Sequence, residues 1–535
     1  IGIVFPGVPI AADDCRATRE ATINSRLLAC APEPNRNMWR ELWYLMERHW
    51  DRLVPGKCPK GIKNYRTQRA VAMMRGWADS FQGKAKRQKK HDGINKLLRQ
   101  GVTSEDMVLT GMLKRELSQK HSETLVKQNA FPPLQPRDND EHVTANSSAL
   151  CPRMLRYFGT QVVDALFGPD TCIAYKHLCK VWSGDHPIFL GAGRRNHEVG
   201  AFYDMHPQNS DRNYFTGDYS LMDLSSGAEA HAFYFKFVHK MGLYQDPAHI
   251  DTFSKIFPQK LTWQGVGKFE LSKGMASGAV WTTLMNTVLN AVFSTFGTFR
   301  AWLQAQGFIG SRLQYALYDT AMFDQFLKRT DYHGAFAGDD SVVAICGDHG
   351  YLDASIRQYT RSLGFILKFK NTRNSANADF LGCNPIRVVN VSTNSVVHTM
   401  APQPHRFFNT FGWARVRPKH PREHAAGVAY GWNTALAHVP VYGQLTRVQM
   451  SDVDLAVCKK EWDEFSEGWR GYCSTLGRPT GALRANEDTY TDLARAWHVG
   501  VHVVQRLEQE LATIASLPVY VGTPAAHAIM RGSAL

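Results

Sequence analysis

None of the ten cysteines forms a C-x-x-C pair, no Cys/His cluster has zinc-binding spacing, and H-E-x-x-H is absent among the 21 histidines. Structural zinc and zinc-protease chemistry are therefore not expected. Cysteines scattered from Cys15 to Cys473 read as reduced, buried thiols in a cytosolic setting, not as a disulfide framework. No apolar run reaches the roughly 18 residues that cross a bilayer; the longest candidate, Ala279 to Phe293, is interrupted by Thr, Asn and Trp. The G-V-G-K stretch ending at Lys268 lacks the first P-loop glycine, because Thr262 stands five positions before Gly267, so no helicase-type ATPase is expected. Internal repeats and low-complexity tracts are also missing. The opening IGIVFPGVPIAADD has neither the basic start nor the small-residue cleavage site of a signal peptide, and the chain is expected to be excised from a longer product. Acidic residues are in short supply: 48 Asp and Glu face 62 Lys and Arg, a formal charge of +14. That excess favours a polyanionic partner, nucleic acid or an acidic membrane surface, over a neutral metabolite.

What is present is enough to fold. With 535 residues, 44% hydrophobic and 11% aromatic, the chain can bury a core as three or four packed units, or as one enzyme with intimate subdomains. In NMWRELWYLMERHW, Trp39, Leu42, Leu45 and Met46 recur on one face and predict an amphipathic helix. The basic run Lys84 to Lys90 reads as a solvated loop or a phosphate contact, and Phe131 to Ser148 as a long Pro/Asn/Asp/Ser-rich loop. From about 150 to 390, short β-branched and aromatic runs alternate with helical stretches. Beyond, VVNVSTNSVVHTM reads as β, and DTYTDLARAWHVGVHVVQRLEQELATI as one long packed helix.

The strongest local signal is YHGAFAGDDSVVAICGD, in which strand-forming runs, Tyr332 to Ala337 and Ser341 to Cys346, flank Gly338-Asp339-Asp340. The acid pair should sit at a hairpin tip, where adjacent carboxylates are tolerated by solvation or by divalent cations. Upstream, Asp218 ends an aromatic and β-branched run and Asp223 follows five positions later. Placed beside the hairpin, Asp218 would supply a third carboxylate for a two-metal site. Between the two, Ser277-Gly278 is expected to open a helix that sets Thr282 and Asn286 at i and i+4 on one face.

In order, D-x4-D (Asp218, Asp223), SG-x3-T-x3-N (Ser277, Gly278, Thr282, Asn286) and GDD resemble motifs A, B and C of the RNA-dependent RNA polymerases of positive-strand RNA viruses. SLGFILKFK, with Lys368 and Lys370, resembles motif D, and ADFLGCNPIRV the motif E turn. TLVKQNAF with Lys127 and ALCPRMLRYFG with Arg153 are similar to the basic motif F, and GRRNHEVGAF brings the noda-like and tombus-like groups to mind. The resemblance implies an α+β right-hand polymerase: an N-terminal extension and fingers over 1–211, a palm over 212–390 with an inserted fingers segment at about 228–270, and a mostly helical thumb over 391–535. The palm would be an antiparallel sheet backed by helices, with the GDD hairpin at its centre.

It also implies roles. Asp218 and Asp339 would bind two Mg²⁺ ions, for which Mn²⁺ substitutes, with Asp340 and the Tyr219 carbonyl as further ligands. Asp223, Asn286, Ser277, Gly278 and Thr282 would recognise the ribose 2′-hydroxyl, a network that disfavours reverse transcription. Lys127, Arg153, Arg194 and Arg195 would meet the triphosphate or template, and Lys368 or Lys370 would protonate pyrophosphate. Arg415, Arg417, Lys419 and Arg422, near Trp413, form a basic patch that would track product RNA or be merely solvated. The partners implied are template and product RNA and ribonucleoside triphosphates, in the host cytoplasm on membrane-bound replication complexes. The rivals are a non-catalytic RNA-binding or capsid-associated protein, which explains the charge but not the ordered motifs, and a reverse transcriptase.

Overall fold

The structure is a computed structural model that describes residues 31–113 (without 82), 117–118, 154–205, 211–347 (without 221), 350–408, 411, 418–465, 482–514, 517 and 519–532, with 3–4, 10–11, 19 and 22. The fold mixes helices with small sheets, and no sheet among the described residues closes into a barrel. Helix α1 (Arg36–Arg48) starts where Asn35 accepts bonds from the Asn37 and Met38 N–H groups, and it buries Trp39, Leu42, Leu45 and Met46, the face read from the sequence. The basic run is not a loop: it opens helix α2 (Lys84–Gln100). Lys, Arg, Ala and Gln are good helix formers, and Ile94 and Leu97 bury one side. Lys90 turns inward to pair with Asp164 at 2.8 Å and lies over the rings of Trp77 and Phe81, so it is no phosphate contact.

Strands β1 (Leu109–Leu113) and β2 (Met154–Phe158) precede helix α3 (Val162–Val181), strand β3 (Ile188–Leu190) and helix α4 (Asn196–Asp204). Then come β4 (Arg212–Ser220), β5 (Gln259–Trp263), β6 (Gly267–Leu271) and the long helix α5 (Thr282–Ala305). Hairpin β7 (His333–Ala337) and β8 (Asp340–Cys346), helix α6 (Leu352–Ser362) and β9 (Ile366–Thr372) complete the centre. The central sheet has the order β9-β4-β8-β7-β3. Its four main strands are antiparallel, whereas β3 joins β7 in parallel. The expected all-antiparallel sheet is thus a mixed one, and its edge strand comes from the segment 1–211. Alternation along the strands covers both faces. Phe215, Tyr219, Val343, Leu367 and Phe369 join the largest core with α5, while Tyr214, Ala335, Val342 and Ala344 pack with Phe202 and Tyr203 of α4. A second sheet, β2-β1-β5-β6, unites the N-terminal region with the segment between Asp223 and Ser277.

The C-terminal body is built on hairpin β10 (Cys383–Asn390) and β11 (Ser395–Pro402) with β12 (Leu483–Arg484). Ile386 and Val388 of β10 lie in its core, so a boundary at 390 would cut a sheet and the body begins near Cys383. The expected single C-terminal helix is two, α7 (Glu487–Ala496) and α8 (Val501–Ala512). His498 at φ 52° and the cap residue Gly500 turn the chain there, while Trp497 is fully buried against Tyr442. Arg422 bonds Asp452 and the Leu517 carbonyl; Lys419 is exposed, and Trp413, Arg415 and Arg417 lie outside the described residues, as does the expected loop at 131–148. Among the described residues, no disulfide joins Cys58, Cys172, Cys179, Cys346, Cys383 or Cys458 to another. No described helix is long and apolar enough to cross a membrane.

The α4–β11 junction has no room for a methyl group, because a Cβ at Gly200 would collide with the His398 carbonyl. At Gly76, inside the helix Gln68–Asp79, nothing stands within 4 Å. Gly200→Ala is expected to destabilise by about 1–3 kcal/mol, and Gly76→Ala to stabilise by up to about 1 kcal/mol. Thermal melts of both variants check this; equal shifts would contradict the packing described.

Candidate active site

The β7–β8 hairpin closes on the pair Ala337 and Asp340, which leaves Gly338 and Asp339 as a two-residue turn. Gly338 has φ 65°, the positive value required at the first central position of a type II′ turn. Helix α5 holds this turn from below. The Gly338 N–H donates to Thr287 Oγ1 at 2.8 Å, and Asn290 Nδ2 donates to the carbonyls of Gly338 (3.2 Å) and Asp340 (3.1 Å). Neither residue was singled out from the sequence, although the polar series Asn286, Thr287, Asn290, Ser294 along an otherwise apolar helix was visible there.

Register then brings the acids together. Asp340 lies directly opposite Asp218, and Asp218 lies directly opposite Lys368 on its other flank. Residues so paired share a face with Cβ atoms about 4.5–5.5 Å apart, so Asp340, Asp218 and Lys368 form a row across three strands beside Asp339. Lys370 is opposite Thr216, two positions farther from the acids. Burial pushes the Asp340 carboxyl up to about 7, and the negative charges of Asp339 and Asp218 push it the same way, with Arg406 opposing. Asp379 adds to the upward push. Asp379 and Arg406 were not foreseen as neighbours of the site. Among the described residues no three His, Cys, Asp or Glu side chains already stand in ion-holding geometry. The donor set is nevertheless one of hard oxygens whose crowded charge a divalent cation would relieve. The Tyr219 carbonyl lies in the same strand, with the Tyr219 ring buried in the core.

The second constellation is the loop before α5. The helix begins at Thr282, five residues later than Ser277. Ser277 and Gly278 bond β2 instead: Arg156 donates its backbone N–H to Ser277 Oγ (3.1 Å), and Gly278 donates its own to the Arg156 carbonyl (2.8 Å). The Thr282 hydroxyl donates to the carbonyls of Ala276 (2.6 Å) and Ala279 (2.9 Å) and so fastens the loop. Asn286, 6% exposed, donates from Nδ2 to Asp223 Oδ1 at 3.2 Å, and its Oδ1 is buried without a partner. Asp223 and Asn286 are therefore bonded to each other, with one acceptor to spare.

The basic residues divide differently. Lys127 and Arg153 lie outside the described residues. Arg194 is engaged elsewhere: it donates to the carbonyls of Leu190 and Cys179 and lies over the Phe189 ring. Arg195 is exposed at the start of α4, its backbone N–H bonded to Glu198. Among the described residues, a basic side chain that does reach the Asp223 segment is that of Arg156, which nothing in the sequence singles out. No protein-family model and no curated protein matches this chain.

The acid row carries a pH signature. A carboxyl raised from 3.8 to about 7 binds its proton more tightly in the fold. The stability this confers is complete below pH 3.8 and is lost as pH rises through 7. In EDTA, Asp340→Asn is expected to be more stable than the parent by on the order of 2 kcal/mol at pH 8, with the advantage shrinking toward pH 5. Melts at the two pH values check the sign; an advantage that does not depend on pH would be inconsistent with the crowding of charge.

Proposed function

We propose that this chain is an RNA-dependent RNA polymerase of the positive-strand viral kind, joining ribonucleoside triphosphates to an RNA 3′-hydroxyl. The observation that carries the proposal is the pairing of Asp340 with Asp218 across adjacent strands. Two motifs more than a hundred residues apart meet there, with the Asp223–Asn286 bond of the third motif nearby. On this reading the central sheet is the palm, the four-stranded sheet belongs to the fingers, and the body from Cys383 is the thumb of a right hand.

The chemistry suits the residues. Phosphoryl transfer of this type is an in-line displacement in which charge grows on the attacking and leaving oxygens together. Two Mg²⁺ or Mn²⁺ ions, when bound, would stabilise that charge, and Asp218 and Asp339, with Asp340 and the Tyr219 carbonyl, are the groups that would hold them. Asp223 and Asn286 orient the incoming sugar. A site built to hydrogen-bond a hydroxyl rejects a sugar that lacks it, because its buried polar atoms are left unpaired, and Asn286 Oδ1 is such an atom. Lys368, exposed and opposite Asp218, is the better placed of the two lysines to give a proton to pyrophosphate. The partners are then template and product RNA and the nucleotides, and the setting is a membrane-associated replication complex in the host cytoplasm.

The test is incorporation of labelled nucleotide on a homopolymer template with Mg²⁺ or Mn²⁺. Asp339→Ala is expected to lower it by roughly 10³-fold or more; activity retained in that variant would leave a non-catalytic RNA-binding protein. Faster use of deoxynucleotides than of ribonucleotides would instead indicate a reverse transcriptase. Lys368→Leu is expected to lower kcat about 10²-fold with little change in KM, and Lys370→Leu to leave kcat nearly unchanged. Equal losses in the two variants would remove the proton-donor role from Lys368.

A further inference from the structure

Arg156 is 2% exposed in β2, and its bonds converge on two segments that bear the polar motif residues. Its Nη2 donates to the Asp223 carbonyl at 3.1 Å, and Met275 donates its N–H to the same carbonyl at 2.5 Å. Its backbone grips Ser277 and Gly278, and the Gly274 N–H reaches the Ser226 carbonyl at 2.9 Å. One buried residue therefore ties the turn carrying Asp223, through its side chain, to the loop 274–278, through its backbone. Gly274 is at φ 123°, and a Cβ there would collide with Arg156 Nη1, so the loop is shaped around the guanidinium. Nη1 itself is buried with no hydrogen-bond partner. An unsatisfied buried donor is destabilising, so a residue kept for stability alone would not be a guanidinium at this point. Burial lowers the Arg156 pKa, and the negative charge of Asp223 opposes that shift.

We propose that Arg156 is a positioning residue for sugar selection: it fixes Asp223 and the Ser277–Gly278 loop in one register, so that Asp223 and Asn286 present an invariant set of polar atoms to the ribose 2′-hydroxyl. This rests on the polymerase assignment, and it places the determinant in a side chain that touches neither the nucleotide nor the reacting atoms.

The experiment compares kcat/KM for UTP and dUTP on poly(A) in the parent, Arg156→Met, Asp223→Ala and the double variant. Arg156→Met is expected to narrow the UTP/dUTP ratio about tenfold, by raising the relative use of dUTP. In the Asp223→Ala background it should narrow the ratio no further, since both act through one network. An unchanged ratio in a cooperatively melting Arg156→Met protein, an equal loss for both nucleotides, or fully additive effects would each overturn the proposal. Should Arg156→Met fail to fold, Arg156→Lys, which keeps stem and charge but not the planar fork, takes its place with the same expected narrowing. If neither gives a cooperative melt, Arg156 is a stability residue and the proposal falls. Parent activity that survives Asp339→Ala would instead remove the polymerase assignment itself, an outcome read in a separate variant.

Discussion

Like-charge repulsion at the end of the central sheet is the constraint around which the rest of the molecule is arranged. Antiparallel register sets Asp340 opposite Asp218, with Asp339 one residue away in the turn. Water relieves such crowding only partly, because Asp340 is well shielded from solvent. Strands that carry this arrangement must be pinned from outside. Both faces of the sheet are covered, α5 on one side and α4 on the other, and a one-residue slip of β4 would send Asp218 to the opposite face along with Tyr214 and Phe215. Burial of β4 on both faces, from Arg212 to Gly217 and at Tyr219, thus helps to fix the acid's place.

Helix α5 contributes the second restraint, and it does so with polar groups in a buried setting. Thr287 and Asn290 bond the backbone of the Gly338 turn, while Asn286, one residue before Thr287, reaches Asp223. The turn bearing Asp339 and the segment bearing Asp223 are therefore indexed to one rigid element. Burying Asn and Thr on a helix is unfavourable unless their bonds are made, and those of Thr287 are: it accepts from Gly338 and donates to Thr283. Asn286 leaves one oxygen over. In a protein that otherwise satisfies this helix so fully, the spare acceptor lies where a ligand hydroxyl would be read on the proposed function.

Much of this was legible in the sequence where the signal is local. The amphipathic face of Trp39, Leu42, Leu45 and Met46, the hairpin around Gly338-Asp339 and the β character of 388–400 each follow from periodicity or turn chemistry within about a dozen residues. Failures came where distant partners decide. Lys84 to Lys90 reads as a loop until Ile94, Leu97 and the Lys90–Asp164 pair supply a reason for a helix. The segment after Ser277 looks helical by composition, but β2 offers it backbone partners and the helix waits until Thr282. Arg153 drew notice over Arg156 because charge and motif similarity mark a residue, whereas burial marks a role, and burial cannot be read from an isolated arginine.

The chain's net charge of +14 and its acidic sheet end pull in opposite directions, and on the proposed function the conflict resolves by location. A polyanion brought to three carboxylates would be repelled by them at short range, so attraction has to be exerted from elsewhere. Lys84, Lys86, Arg87 and Lys89 stay exposed on the outer side of α2, while Lys90 alone is drawn inward. Charge of that kind acts through solvent over about a Debye length, roughly 8 Å at physiological salt, enough to gather phosphates without specifying where they react. The acids then act at contact range, where divalent cations would convert repulsion into attraction for the same phosphates. On the proposed function, a surplus of dispersed positive charge and a small concentrated negative site would thus be complementary, the first setting how often a nucleic acid arrives and the second what happens to it on arrival.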